Sequence, residues 1–199
     1  MASLAGLARH GALRVGWPLI AQAAGRVATP AIRSTATLGG NLCYAEAASD
    51  PAPALLCLDS QVRVADSVGE RVVPIAEFFT GFYETAIAPG EVLIGVKVPA
   101  APPDARSGYV KFCPRSAEDK PLIGVAALLV LDASKRVGEI RIALGGAAPT
   151  PMPLSAWRPA AVPPVMTAAL RRNSRRAITP ASSFSARSFR RLSISFSFE

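Results

Sequence analysis

The stretch IRSTATLGGNLCYAEAASDPAPALLCLD, residues 32–59, decides how the rest of the chain is read. Within it, Thr37-Leu38-Gly39-Gly40-Asn41 sets two adjacent glycines between a hydroxyl and an amide. Glycine lacks a Cβ and tolerates positive φ, so a loop built on Gly39 and Gly40 lets backbone approach a ligand closely. Successive N–H groups in such a turn form a concavity that suits phosphate oxygens. Thr37 adds a hydroxyl donor, and Asn41 adds an amide that donates to phosphate or braces the loop. Nine residues on, Asp50 is a fixed acceptor suited to sugar or polyol hydroxyls. Donors for a diphosphate beside an acceptor for hydroxyls describe a nucleotide cofactor site. Gly-Gly-Asn is also a common turn, so chemistry alone leaves both readings open.

On the N-terminal side, residues 17–28 predict a helix with Pro18 in its first turn and Leu19, Ala23 and Val27 on one face. Thr29-Pro30 is expected to end it, because the residue before proline disfavours the helical basin. The region before Glu46 carries Arg9, Arg14, Arg26 and Arg33 but no acid, as an organellar targeting peptide would. The apolar helical face running into the motif argues instead for a segment of the domain itself. On the C-terminal side, residues 49–60 read as a short buried helix, with Ser49 or Asp50 as candidate N-cap, proline in the first turn and an apolar run from Ala54 to Leu58. Two short strands (61–67 and 71–75) around Gly69 follow, then a packed aromatic helical turn (75–83) and a strand from Val92 to Val98. The Pro- and Ala-rich stretch 100–108 marks a boundary. Beyond it, Tyr109–Phe112, Leu122–Leu131 and Glu139–Leu144 predict a three-stranded antiparallel sheet.

The net charge of +8 is unevenly placed. Residues 1–153 hold 14 basic and 13 acidic side chains; residues 154–199 hold 8 arginines, no lysine and one acid. The basic character belongs to an Arg/Ser/Pro tail, read as low-complexity and unstructured. Only its end, Arg190 to Phe198, alternates like a short terminal strand, and such a strand would leave an exposed apolar edge. A basic tail can bind nucleic acid, but this one has no ordered stripe and few interleaved aromatics, so no nucleic-acid partner is expected. No apolar run approaches the ~18 residues needed to span a bilayer. Cys43, Cys57 and Cys113 are widely spaced and His10 is the lone imidazole, a pattern that fits no metal site. All three cysteines are expected as small buried residues, in a reducing, cytoplasmic compartment.

Taken together, Ile32-Arg33-Ser34, Thr37-Leu38-Gly39-Gly40-Asn41 and Ser49-Asp50 resemble the I-R-N-x-x-[ST]-[IL]-G-G-N and S-D segments of the FAD-binding (medium) subunits of molybdenum hydroxylases, of the carbon monoxide dehydrogenase and xanthine dehydrogenase type. Tyr109, Lys111, Arg115 and Asp119 are similar to the third segment of that family, Y-x-K-x-x-x-R-x-x-x-D. The likeness covers residues 13–153 in four ordered blocks. It implies an α+β fold: the second lobe of a two-lobed FAD-binding domain in residues 1–100, a partial C-terminal antiparallel sheet domain in 101–153, and the basic tail in 154–199. It further implies that Thr37, Leu38, Gly39, Gly40 and Asn41 lie against the FAD pyrophosphate and that Asp50 accepts from cofactor hydroxyls. The implied activity is electron transfer, from [2Fe–2S] clusters of a small partner subunit through FAD to an acceptor. The molybdopterin centre sits in a large partner subunit.

Two departures qualify the resemblance. No A-G-G-x-S segment, the family's first FAD contact, is present, and the helices that close the family's C-terminal domain are replaced by the Arg/Ser/Pro segment. The composition of that segment is what a shifted reading frame in a GC-rich gene produces. The expectation is a truncated or frameshifted subunit, with an inactive fragment or docking module as the alternative function. No nucleophile or general acid–base pair stands out, so no catalytic residue is assigned; in flavoproteins the cofactor carries the chemistry. Tyr44 and Tyr109 are read as packing residues and Glu46 and Glu91 as solvated loop acids. For Lys111 and Arg115, strand-end surface charge and a flavin role stand level.

Overall fold

A computed structural model describes residues 2–102, 104–132 and 134–154, and the backbone of 194–197. Short helices come first: α1 (Leu4–Arg9), α2 (Gly11–Gly16), α3 (Pro18–Ala24), α4 (Pro30–Thr35), α5 (Leu38–Tyr44) and α6 (Pro51–Cys57). The helix expected over 17–28 is shorter, and Thr29-Pro30 does the opposite of what was expected. Thr29 accepts from the Ile32 N–H at 3.3 Å and Pro30 takes the first helical position, so the pair starts α4. A proline at that position needs no N–H partner and its fixed φ is preset for the helix. The same Thr-Pro can therefore stop one helix or open the next, and Ala28, at φ 38°, has already turned the chain.

The glycine stretch is corrected in the same way. Leu38-Gly39-Gly40-Asn41 is the first turn of α5 and not a free loop, with Thr37 as its cap. Two glycines weaken a helix by roughly 1 kcal/mol each relative to alanine. Tertiary burial offsets this: Leu38 and Leu42, four apart, are fully buried. Helix α6 is buried at all seven positions.

Two sheets flank the helices. The first runs β10-β5-β1-β2, all antiparallel, with β1 (Gln61–Ala65), β2 (Glu70–Pro74), β5 (Val92–Val98) and β10 (Ile194–Ser197). Val62, Val64, Val73, Val96 and Val98 form its buried face, the period-2 pattern of a half-covered sheet. Between β2 and β5 come α7 (Ile75–Phe78) and the small pair β3 (Phe79–Gly81) and β4 (Glu84–Thr85). The second sheet is β6 (Arg106–Phe112), β7 (Ile123–Leu131), β8 (Val137–Gly145) and β9 (Met152–Pro153), in chain order. The three predicted strands are present, and a two-residue fourth completes the edge.

One apolar core serves both sheets, because Tyr109, Ala126, Leu128 and Ala143 of the second join the cluster built by Leu13, Leu19, Leu38, Leu55 and Val62. Leu19 and Ala23 are fully buried in it, so the acid-free N-terminal region is integral to the domain. The reading of the tail falls on 155–193, outside the described residues. Its expected terminal strand is β10, paired with β5 from Ile194↔Val98 to Ser197↔Gly95. The cysteines divide: Cys57 is buried, Cys113 half-buried and Cys43 exposed, since Cys43 falls on the solvent side of α5 between buried Leu42 and Ala45.

Candidate functional site

The site is built on the N-terminus of α5. A helix leaves its first N–H groups without intrahelical partners, and their fates here differ. Thr37 Oγ1 accepts from the Gly40 N–H at 3.1 Å. The Leu38 N–H donates to the Ala2 carbonyl at 3.1 Å, where Ser3 and Thr37 form an isolated bridge. The Gly39 N–H has no partner among the described residues. Leu38 itself is a core side chain, so only its backbone lies at the site. A Cβ added to Gly40 would stand 3.1 Å from Thr37 Oγ1 and crowd the cap.

Asn41 is oriented from below. Ser49 Oγ donates to its Oδ1 at 2.7 Å. With the oxygen engaged, the Asn41 NH2 is the half without a partner among the described residues. This single hydrogen bond ties the glycine turn to the segment that carries Asp50. Between them Ala45, in the left-handed region at φ 50°, ends α5 and turns the chain into residues 46–50.

Asp50 differs in kind from the residues around Gly39. Its side chain is 5% exposed and both oxygens are engaged. Tyr109 Oη donates to Oδ1 at 2.7 Å and Lys111 Nζ to Oδ2 at 3.1 Å; Lys111 also donates to the Arg26 carbonyl at 2.9 Å. Burial pushes the Asp50 carboxyl above its ordinary range, while Tyr109, Lys111 and the more distant Arg26 pull it down. The Tyr109 hydroxyl is raised in turn, by burial first and then by the adjacent Asp50 charge. Lys111 is therefore no surface charge: its side chain is 4% exposed. Arg115 is, lying 3.8 Å from Asp119 with its side chain 90% exposed. Residues 109 and 111 sit on one face of β6, so a strand-period reading of Y-x-K could have paired them. Nothing in the sequence pointed to Asp50 as their partner.

The loop before Asp50 is held as tightly. Glu46, expected as a solvated acid, accepts from Tyr83 Oη at 2.7 Å and pairs with Lys120. Burial raises the Glu46 carboxyl, but the hydrogen bonds from Lys120, Tyr83 and the Ala48 N–H outweigh it and leave the group below its ordinary value. Glu91 is corrected likewise: bonded by both Arg71 Nε and Nη2 at 2.6 Å, it is pulled down to about 2. Tyr44 is exposed and meets the Tyr83 ring at 5.1 Å between centroids. The Gly146 N–H donates to the Ala47 carbonyl at 2.7 Å, and Gly145 lies so close that a Cβ would meet Pro53 Cγ at 3.0 Å and the Ser49 carbonyl at 3.1 Å. The second sheet, its connecting loops and Tyr83 thus hold residues 46–50 along their length. A separate cleft lined by Val15, Trp17, Leu58, Pro102 and Ser107 shares no residue with this site.

A half-exposed turn whose Gly39 N–H and Asn41 NH2 have no partner among the described residues, rooted in a buried ionic cluster, suits the diphosphate of a dinucleotide. The chain belongs to the family described as the FAD-binding domain in molybdopterin dehydrogenases, whose profile matches residues 1–101. That family consists of the flavin-binding portions of oxidoreductases. Among individual relatives, the chain is 36% identical over 136 residues to the xanthine dehydrogenase FAD-binding subunit of Escherichia coli O157:H7, covering 68% of this chain and 46% of that one. It is 31% identical over 133 residues to the carbon monoxide dehydrogenase medium chain of Hydrogenophaga pseudoflava, covering 67% and 46%. A solved carbon monoxide dehydrogenase structure from the same organism superposes with a TM-score of 0.76 at 26% identity, over 92% of this chain and 64% of that one. Quinoline 2-oxidoreductase from Pseudomonas putida 86 gives 0.71 at 27% identity, over 77% and 52%. The chain spans about half the length of the curated relatives it matches. Among the described residues no helix is long and apolar enough to cross a membrane.

Proposed function

We propose that this chain supplies one side of an FAD cradle in the electron-transfer subunit of a molybdenum-containing dehydrogenase. The observation that carries the reading is the donor set at the α5 N-terminus: the Gly39 N–H and the Asn41 NH2 have no partner among the described residues, and both belong to the first turn that Thr37 caps. Thr37, Gly39, Gly40 and Asn41 would hold the pyrophosphate, with Leu38 contributing backbone alone. Asp50 enters on other terms than a simple hydroxyl acceptor. Its two oxygens are already bonded, so its first task is to root the site, with any cofactor hydroxyl adding to an occupied carboxylate. Bound FAD would supply the redox chemistry, and the chain's own residues bind and orient it. In this reading electrons arrive from [2Fe–2S] clusters of a small subunit, downstream of a large molybdopterin subunit, in the cytoplasm.

A second reading is a docking module that does not hold FAD alone. The observation that favours it is the Ala2 carbonyl on the Leu38 N–H, which takes one donor of the cap out of use. Titrating FAD with the purified chain and following flavin fluorescence separates the two. Saturable quenching at a one-to-one ratio is expected for the cradle. Fluorescence that stays unquenched, together with co-purification of the chain with iron–sulfur and molybdopterin subunits, identifies the docking module.

A further inference from the structure

The second sheet does more than cover the core beneath the proposed site. Tyr109 projects from β6, and its hydroxyl reaches Asp50, 59 residues earlier in the chain. It can do so because of what lies on the neighbouring strand. Gly124 of β7 pairs across from Lys111 and is diagonal to Tyr109, within reach of a long aromatic side chain. A Cβ built on Gly124 would overlap the Tyr109 hydroxyl oxygen and stand 3.3 Å from its Cζ. The phenol therefore lies over Gly124, in space that any other residue would fill. Gly124 has an unremarkable strand conformation, since it is not among the residues at positive φ. Room for Tyr109, not backbone freedom, is what this glycine provides.

We propose that Tyr109 is a positioning residue of the cofactor site and that Gly124 is the residue that makes room for it. The phenol hydroxyl fixes the Asp50 carboxylate at the root of α6. The adjacent Ser49 hydroxyl then meets Asn41 Oδ1 and turns the Asn41 NH2 outward. The inference rests on the FAD reading for its ligand, but the arrangement of Asn41 is a property of the protein alone. Tyr109 itself is 3% exposed and touches no candidate ligand position directly. It acts through two intermediaries, Asp50 and Ser49. Lys111, on the same strand face, donates to the other Asp50 oxygen, so each carboxylate oxygen has its own donor.

The test is a double-variant cycle in the full chain with Tyr109→Phe, Gly124→Ala and both together, read in two ways. The first is FAD affinity by fluorescence quenching. The second is the side-chain NH2 resonances of Asn41 in the protein without FAD. Each single variant should weaken FAD binding about tenfold, the worth of one hydrogen bond to a charged group, and should shift the Asn41 NH2 signals. The double variant should match the singles, because the added Cβ displaces a hydroxyl that Tyr109→Phe has already removed. Losses that multiply in the double variant, or Asn41 signals that stay put while melting temperature falls, would overturn the assignment and leave both residues as packing. If the unaltered chain takes up no FAD, the FAD reading fails, and the Asn41 signals alone decide the positioning role. Conservative rescue by Gly124→Ser is not expected, since any Cβ meets the same oxygen.

Discussion

The two ends of the segment from Thr37 to Asp50 are built on opposite principles. Around Gly39 donors stand half-exposed at a helix start with no partner among the described residues. Around Asp50 the polar groups are matched within the protein: Tyr109 and Lys111 on the buried Asp50, and, nearer the surface, Tyr83 and Lys120 on Glu46 and Gly146 on Ala47. In the proposed reading the contrast separates the part of the site that is left for a ligand from the part that keeps it in place. Unsatisfied exposed donors cost little in water, whereas an unmatched buried charge costs several kcal/mol. The open half therefore tolerates substitution in the folded state and should not tolerate it in binding; in the closed half substitution costs stability first, and binding only through the position of Asn41.

The sharpest way to break this contrast is at Lys111. Lys111→Met leaves the Asp50 carboxylate buried with one partner, and stability should fall by about 3–5 kcal/mol, the cost of breaking a buried pair from one side. Urea denaturation measures it, and a loss below 1 kcal/mol would mean that Asp50 is not charged and paired as drawn. Leu55→Ala in the fully buried α6, which carries no polar role, calibrates the scale at about 2–5 kcal/mol. On the open side, Thr37→Ala should cost only about 1 kcal/mol as a lost cap, yet weaken FAD binding by far more than Leu55→Ala does at equal folded fraction. Equal effects on binding would erase the distinction between the two halves.

The smallest expected effect concerns pH. Glu46 is held below its ordinary value, so its ties to Lys120 and Tyr83 contribute stability that is fully present above the usual glutamate range. That contribution is lost as pH falls through the lowered folded value. Asp50, raised by burial, has the opposite sign: its contribution is present below the usual aspartate range and is lost as pH rises through the raised folded value. Glu46→Gln should flatten the acid-side fall of melting temperature in the unaltered chain. An unchanged acid limb would remove Glu46 from the clamp.

Much of this was legible in the residues. The strands at 61–65 and 92–98 follow from apolar alternation, the strand at 70–74 from the turn signal at Gly69, and the buried helix at 51–57 from a proline-opened apolar run. The chemistry proposed around Gly39 was legible because Thr, Gly-Gly and Asn each bring a stated donor or backbone freedom. What the sequence hid was either ambiguous locally or long-range. Thr29-Pro30 reads equally as a stop and a start, and Gly39-Gly40 reads as a turn until Leu38 and Leu42 are seen to bury one face. The partners of Glu46 lie 37 and 74 residues away, and those of Asp50 lie 59 and 61 away. No window around either acid contains them. Gly124 carried no signal at all, because its task is defined by a side chain on another strand.

The claim on which the account stands is that the turn from Thr37 to Asn41 faces the diphosphate of a bound dinucleotide. Backbone amide spectra of the labelled chain, recorded with FAD, with ADP and with riboflavin, test it most directly. Signals of Gly39, Gly40 and Asn41 should move with FAD and ADP, which carry the diphosphate, and stay in place with riboflavin, which has none. Saturable shifts elsewhere with these three signals unmoved would contradict the placement.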